Sequence, residues 1–453
     1  MSKRNENRPG YKKTKVGWIP EDWECLTIKE VCSQPVSGFS AKGNAEAVSP
    51  NDSNIGVLRL SCIIEGYFNS YENKKVVQAD IPKVKTPISK DTMLISRSNT
   101  EELVGVVCYV EKDYPNLFLS DLIWQVSAKS SEILSIRWLT NLLLTKEYRR
   151  KIAARANGTS GSMKKITKGG FLTLPIPLPP LPEQKKIAGI LSVWDRAIEQ
   201  VGKLIDAKLR LKKGLMQQLL TGRMRFPEFN HETHERHEKD KGELPEGWKK
   251  SKLGWIPEEW EICPVRQFGT VTTGNTPSKK EPENYGKGIP WCTAVDMEHK
   301  YIVQTEVELS EIGAQKARIL PSGAVLITCI ASIGKNAIAK VALATNQQIN
   351  AVIVNNHNDN EFFYYAACQN EHRMLRYAGQ TAVPILNKSE FENMLFIRPH
   401  LSEQRRIASV LSTCDKEIEL LKKKQEKLKE QRKGLMQKLL TGEVRVKADG
   451  AVI

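Results

Sequence analysis

LPEQKKIAGILSVWDRAIEQVGKLIDAKLRLKKGLMQQLLTG, residues 181–222, returns as LSEQRRIASVLSTCDKEIELLKKKQEKLKEQRKGLMQKLLTG, residues 401–442, with twenty of 42 positions identical. In the first copy Ile187, Leu191, Trp194, Ile198, Val201 and Ile205 step by 4-3-4-3-4. Lys208 and Lys212 interrupt the series and weaken it, and Leu215 and Leu219 resume it. The second copy keeps the register through Ile407, Leu411, Cys414, Ile418, Leu421, Gln425, Leu428, Arg432, Leu435 and Leu439. This is the heptad spacing of a narrow apolar seam. About 40 helical residues at 1.5 Å each make a rod of ~60 Å. Such a helix needs a partner for its seam, and the nearest is the other copy. The expectation is an antiparallel coiled coil, the alternative being that each helix packs on its own domain instead.

The helix ends are marked. Pro182 suits the first helical position, Glu183-Gln184 and Glu403-Gln404 put negative charge in the first turn, and Gly222 and Gly442 follow as C-terminal caps. Gly214 and Gly434 sit inside the helices, where glycine costs about 1 kcal/mol relative to alanine. A close helix crossing, or a surface that another subunit approaches, would account for both.

A second repeat lies upstream of each helix: VGWIPEDWE from Val16 and LGWIPEEWE from Leu253. The chain therefore divides into a repeat motif (1–24), a first variable domain (25–180), a first long helix (181–222), a linker (223–252), a second repeat motif with its variable domain (253–400), a distal long helix (401–442) and a tail (443–453). Both variable segments mix short β-rich runs, such as GVLRL from Gly56 and GAVLIT from Gly323, with turn residues and short helices. The fold class expected is α+β: two globular domains separated by two long antiparallel helices, with a pseudo-twofold internal repeat.

The composition bounds the function. The 453 residues carry a formal net charge of +16 and a pI near 9.3, with 40% hydrophobic residues. That is enough apolar material for real cores, and a polyanion, usually nucleic acid, is the leading partner class. Nine scattered cysteines without a CxxC pair fit neither a disulfide framework nor a zinc site and suit a reducing cytoplasm. No signal peptide is legible, and no apolar run approaches the roughly 18 residues of a membrane helix. His231, His234 and His237 read as linker residues, not metal ligands. There is no GxxxxGK[ST] loop, no [DNS]PP[YFW] loop, no GxSxG and no HExxH. That silence suits a targeting component better than an enzyme.

At this point the chain resembles the specificity (S) subunits of type I restriction–modification systems. The resemblance rests on GWIPEDWE/GWIPEEWE, the two LPEQ/LSEQ-led helices ending in GLMQxLLTG, and the bipartite layout. TTGNTPSKK from Thr272, GIPW from Gly288, ASIGK from Ala331 and TNQQIN from Thr345 add to it in the second domain. LRLSC from Leu58, LISRSNTEELVG from Leu94 and LSDLIW from Leu119 add to it in the first. It implies two target-recognition domains, each reading one half of an interrupted site in double-stranded DNA. It also implies docking of two methyltransferase (M) subunits and of nuclease–translocase (R) subunits. S-adenosylmethionine would belong to M and ATP with magnesium to R, leaving no cofactor and no catalysis in this chain.

Base reading calls for paired donors and acceptors, Arg to guanine and Asn or Gln to adenine, and phosphate contact for Lys, Arg, Ser and Thr on loops. Arg97, Ser98, Asn99 and Thr100 follow an apolar strand. Thr276, Ser278, Lys279 and Lys280 form a basic turn-rich loop. Ser160, Ser162, Lys164 and Lys165 make another, with Gln380 and Thr381 at the matching place, and Lys335 closes ASIGK. Trp18, Trp23, Trp255 and Trp260 read as packing anchors, and Asn346, Gln347 and Gln348 either as contacts or as framework at a turn. The rival classes are an enzyme with a cryptic site and a coiled-coil scaffold that does not bind DNA.

Overall fold

The computed structural model describes residues 5–50, 52–64, 66–158, 163–229, 247–378 and 384–446. The chain forms two units: Met1–Val201 with Lys424–Ile453, and Gly202–Lys423. Both long helices, Leu181–Leu219 and Leu401–Leu440, cross from one unit into the other, so each unit owns half of each helix.

In the first unit, the GWIP motif is the second strand of a hairpin. Tyr11–Thr14 pairs antiparallel with Gly17–Pro20, placing Lys13 opposite Trp18. Gly17 turns the chain at φ +104, a conformation glycine adopts at no steric cost. Glu24–Thr27 then pairs with Pro175–Leu178, so the two ends of the recognition domain lie side by side. Between them stands an antiparallel sheet ordered Val107–Val110, Thr92–Ser96, Ile123–Val126, Val36–Ser37. Thr92–Ser96 is buried along its whole length, with the apolar Met93, Leu94 and Ile95 at its centre, as in a strand covered on both faces. A second sheet runs Asn73–Lys75, Gly56–Leu58, Tyr114–Phe118, Pro87–Ile88. The main core joins Trp124, Trp138 and Phe171 to Ile187 and Leu191 of the first long helix and to Met436, Leu439 and Leu440 of the second.

The second unit repeats the plan. Trp248–Ser251 pairs with Gly254–Pro257, placing Lys250 opposite Trp255, and Glu261–Pro264 pairs with Leu395–Arg398. Its large sheet runs Gly269–Thr273, Ile349–Val354, Val325–Thr328, Asn336–Ala339, Tyr301–Ile302. The core around Trp260, Phe268, Phe363 and Phe396 again takes in both long helices, through Leu219 and Leu220 and through Ile407 and Leu411.

The helices pair antiparallel within each unit. In the first, Arg432 Nε lies 2.5 Å from Asp195, and Gln425 donates to the Ile198 carbonyl at 3.3 Å. In the second, Lys212 lies 2.5 Å from Asp415, and Lys208 donates to Glu417 at 2.6 Å. Asp195 and Asp415 occupy the same position of the repeat, as do Lys212 and Arg432, so the repeat makes one ion pair twice. Ile187, Leu191, Ile198, Ile205, Ile407, Leu411 and Ile418 are buried, while Trp194, Val201, Leu421 and Leu428 are half-buried. The expectation that Lys208 and Lys212 weaken the seam is corrected: each carries a carboxylate partner from the other helix. A close crossing does not explain Gly214 or Gly434, because a methyl group added at either would meet nothing within 4 Å.

The boundaries read from the sequence differ from the structure at two places. The stretch assigned to a linker is built in at both ends, with Arg225 bonded to Glu403 and Trp248–Ser251 in a hairpin; His231, His234 and His237 lie outside the described residues. The described start of the tail, residues 443–446, is built in as well, for Val446 is 4% exposed and Arg445 is bonded to Glu183. Both segments lack an apolar run, and each is anchored by one arginine with a few apolar side chains beside it: Met224 and Phe226 in one, Val444 and Val446 in the other.

Candidate nucleic-acid interface

Each unit closes on a carboxylate at the start of a long helix. Trp23 donates its indole N–H to Glu183 at 3.0 Å, and Arg445 grips the same carboxylate through Nε and Nη2, both at 2.9 Å. Arg445 also reaches Asp22, through Nη1 at 2.8 Å. In the second unit Trp260 donates to Glu403 at 2.8 Å, and Arg225 bonds Glu403 and Glu259, each at 2.9 Å. Gly222 and Gly442 let the helix ends approach the hairpins: at φ +74 and +70, an added Cβ would lie 2.5 Å from Pro257 and 2.7 Å from Pro20. Trp23 and Trp260 are thus packing anchors, whereas Trp255 is 42% exposed on its hairpin. Sequence reasoning overlooked the arginines because identity in the long repeat stops at TG; the alignment of RMRF with EVRV, immediately beyond, carries the signal for both.

These locks fix the base of each recognition domain, and the described contact candidates stand on short strands and loops that it carries. In the first unit the chain leaves Thr92–Ser96 and pairs again at Ser98–Asn99 with Lys164–Ile166, setting Ser98 opposite Lys165 and Asn99 opposite Lys164. Two stretches singled out separately in the sequence are therefore one junction. Within it, Arg97 lies over the Trp124 ring at 5.9 Å and donates to the Asp121 carbonyl at 3.3 Å. Asn99 donates to the Ser96 hydroxyl at 3.1 Å and accepts from the Thr100 backbone at 2.9 Å. Ser98 is 1% exposed, which withdraws it from any surface and corrects its assignment as a contact; its hydroxyl is buried without a hydrogen-bond partner. Thr100 and Lys165 are exposed, Lys164 is half-buried and donates to the Gly158 carbonyl at 3.0 Å, and Ser160 and Ser162 lie outside the described residues.

The second unit has the same junction. After Val325–Thr328 the chain turns through Ala331, at φ +63, whose N–H donates to the Pro384 carbonyl, while Leu386 donates to the Cys329 carbonyl. Lys335 is exposed on this turn and its ammonium reaches the Ala294 carbonyl at 3.3 Å. Gln380 and Thr381 fall just before the segment it meets, outside the described residues. The loop from Thr276 is a separate element: Thr276 donates to Gln347 at 2.5 Å, the Ser278 carbonyl accepts from Asn284 at 2.9 Å, and Lys279 and Lys280 are exposed. Asn346 and Gln348 bond each other's amide groups at a turn and act there as framework.

Burial pushes the Cys32 and Cys292 thiols up to about 12, so neither offers a thiolate near neutral pH. Among the described residues no group of three His, Cys, Asp or Glu side chains is placed to hold a metal ion, and no helix is long and apolar enough to cross a membrane. What both units present is a rigid platform carrying exposed hydroxyls and ammonium groups on loops at the end of a buried strand, suited to a phosphate backbone and base edges.

The sequence profile described as Type I restriction modification DNA specificity domain matches residues 20–208 and 257–430. The putative type I restriction enzyme MjaX specificity subunit of Methanocaldococcus jannaschii is 28% identical over 451 residues, covering 96% of this chain and 97% of that protein. The HindI specificity subunit of Haemophilus influenzae is 31% identical over 202 residues, 42% of each. Among solved structures, the type I restriction–modification S subunit from M. genitalium superimposes with a TM-score of 0.56 at 18% identity, over 95% of this chain and 98% of that one. A chain from a study of type I complex assembly and conformational transition gives 0.53 at 16% identity, over 94% and 99%.

Proposed function

The chain belongs to the family of type I restriction–modification DNA specificity subunits, and from that premise we propose how its parts divide the work. The subunit recognises DNA for a restriction–modification complex and leaves the chemistry to other subunits. Each unit reads one half of an interrupted site in double-stranded DNA. The observation that supports this is the repeated junction: in both units the loop leaving the buried central strand meets the segment that leads into the long helix. Two such junctions on unlike domains suit two different half-sites.

In the first unit Thr100, Lys164 and Lys165 contact the DNA, with Arg97 and Asn99 holding the loop; Ser160 and Ser162 are added as contacts on the sequence alone. In the second, Lys335 takes the matching place and Thr276, Ser278, Lys279 and Lys280 a further one; Gln380 and Thr381 are added as contacts on the sequence alone. The ammonium groups take phosphates, which positions the chain without specifying sequence; hydroxyls and amides near base edges specify it. Two methyltransferase subunits, holding S-adenosylmethionine, and nuclease–translocase subunits, holding ATP and magnesium, complete the complex in the cytoplasm.

The test is a map of methylated adenines in cells that gain this chain together with its methyltransferase partner. One interrupted motif with two unlike halves is the expected result. A continuous motif, or none, would overturn the reading.

A further inference from the structure

Lys300, in the turn before Tyr301–Ile302, lies at the centre of a charged cluster within the second unit. Its ammonium is 2.5 Å from Glu361 and 3.5 Å from Asp415, and it donates to the Tyr365 hydroxyl at 2.6 Å and to Ser412 at 3.0 Å. Tyr365 in turn donates to Asp415 at 2.5 Å, and Lys212 holds the other oxygen of that carboxylate at 2.5 Å. Tyr301 donates to Glu361 at 2.8 Å. The members come from three places: Lys300, Tyr301, Glu361 and Tyr365 from the recognition domain, Ser412 and Asp415 from the second long helix, and Lys212 from the first. Lys212, Asp415, Lys300 and Glu361 alternate in charge, and a third ammonium, that of Lys340, lies 3.8 Å from Glu361 at the rim.

We propose that Lys300 is a positioning residue for DNA recognition, fixing the second recognition domain on the helix segments of its unit so that its half-site is read at one separation. This rests on the reading that each unit recognises one half-site. A half-buried ionic network adds little net stability, because desolvation offsets the attraction. Its directional bonds instead define one arrangement out of the several that apolar packing alone would tolerate. The corresponding aspartate of the first unit, Asp195, is held differently. Tyr67, 45% exposed, donates to it at 3.1 Å, and Asn141 accepts from its partner Arg432 at 3.0 Å. There the recognition domain supplies a hydroxyl and an amide in place of an ammonium.

The experiment uses the full chain assembled with its methyltransferase subunits and duplexes bearing both half-sites at the natural gap or at gaps one base pair shorter and longer. The quantity read is the ratio of methylation at an altered gap to methylation at the natural one. Lys300→Met, which keeps the aliphatic stem, should raise that ratio about tenfold, roughly the loss of 1.4 kcal/mol of discrimination. Lys300→Arg should restore it, and the half-site sequences should not change. Tyr365→Phe, which keeps the ring's packing and removes its bond to Asp415, should move the ratio in the same direction and serves if Lys300→Met does not fold. An unchanged ratio in folded variants, or equal loss at every gap, overturns the positioning role. A wild-type complex that methylates no interrupted site overturns the functional reading itself, and the role with it.

Discussion

Arg225 and Glu403, 178 residues apart in the chain, form a two-bonded ion pair, Nε to Oε1 and Nη2 to Oε2, both at 2.9 Å. Arg445 and Glu183 make the same pair in the other unit. In each case an arginine just past the end of one long helix anchors the start of the other.

Removing the arginine strands its carboxylate. Glu403 is almost fully buried, so Arg225→Met should lower stability by about 3 kcal/mol, the usual cost of an uncompensated buried charge. The double variant Arg225→Met/Glu403→Gln should lose less than Arg225→Met alone, because no charge is left unpaired. Denaturant unfolding of the wild type and the two variants decides it, and a double variant that loses as much as Arg225→Met or more would refute the explanation.

Asp80 gives a pH signature. Its carboxyl is held below the usual carboxylate range, first by the bond from Lys83 and then by the Lys42 backbone N–H. A group with a depressed folded-state pKa adds stability that is complete above its unfolded value and is lost as pH falls through the folded one. Asp80→Asn should therefore melt below the wild type at neutral pH, and the difference should shrink from about pH 5 downward. A difference that grows on acidification would contradict this.

The junction lysines should reveal themselves through salt. If Lys164 and Lys165 meet phosphates, replacing both with alanine should weaken DNA binding to cognate and unrelated duplexes alike. For every ammonium–phosphate pairing removed, the plot of log affinity against log salt should flatten by about 1. Lys279 and Lys280 should behave in the same way. A loss confined to the cognate sequence would assign these side chains to base edges instead.

The repeat also predicts what half of the chain will do. In a fragment of residues 1–235, the first long helix would pair with its own copy. Asp195 would then meet Lys212 of the other molecule in the place Arg432 holds in the full chain, while Lys208 would lose Glu417 and face Ala197. The fragment should sediment as a symmetric dimer, and Lys208→Leu should tighten it by up to ~1 kcal/mol, the scale of an exposed charged position. A folded monomer would show that the helix pairing does not follow the repeat.

The long helices were legible because a 3.5-residue apolar period and a near-copy elsewhere in the chain are both local signals. So were the two heads, as the intervals between repeated blocks. What the sequence hid was pairing over distance. Lys208 and Lys212 read as flaws in a seam until Glu417 and Asp415 are set against them, some 200 residues later. The first strand of each hairpin, Tyr11–Thr14 and Trp248–Ser251, is polar and short, so no hydrophobic alternation announced it. Among the contact candidates, composition placed Ser98 with its polar neighbours, but its alternate position on a two-residue strand turned it inward.

The division of the chain into units, one continuous from Gly202 to Lys423 and one assembled from both ends, bears on how the protein is made. Along the chain, residues of the first unit both precede and follow those of the second. As the ribosome passes the middle of the second long helix, every residue of the second unit already exists, including Arg225 for Glu403. The first unit has been waiting since its own helix was made, with Trp23 and Glu183 in place and Arg445 not yet synthesised. The part begun first is completed last, and a chain cut just before Arg445 would keep nearly all of both domains with the opening one still unlatched.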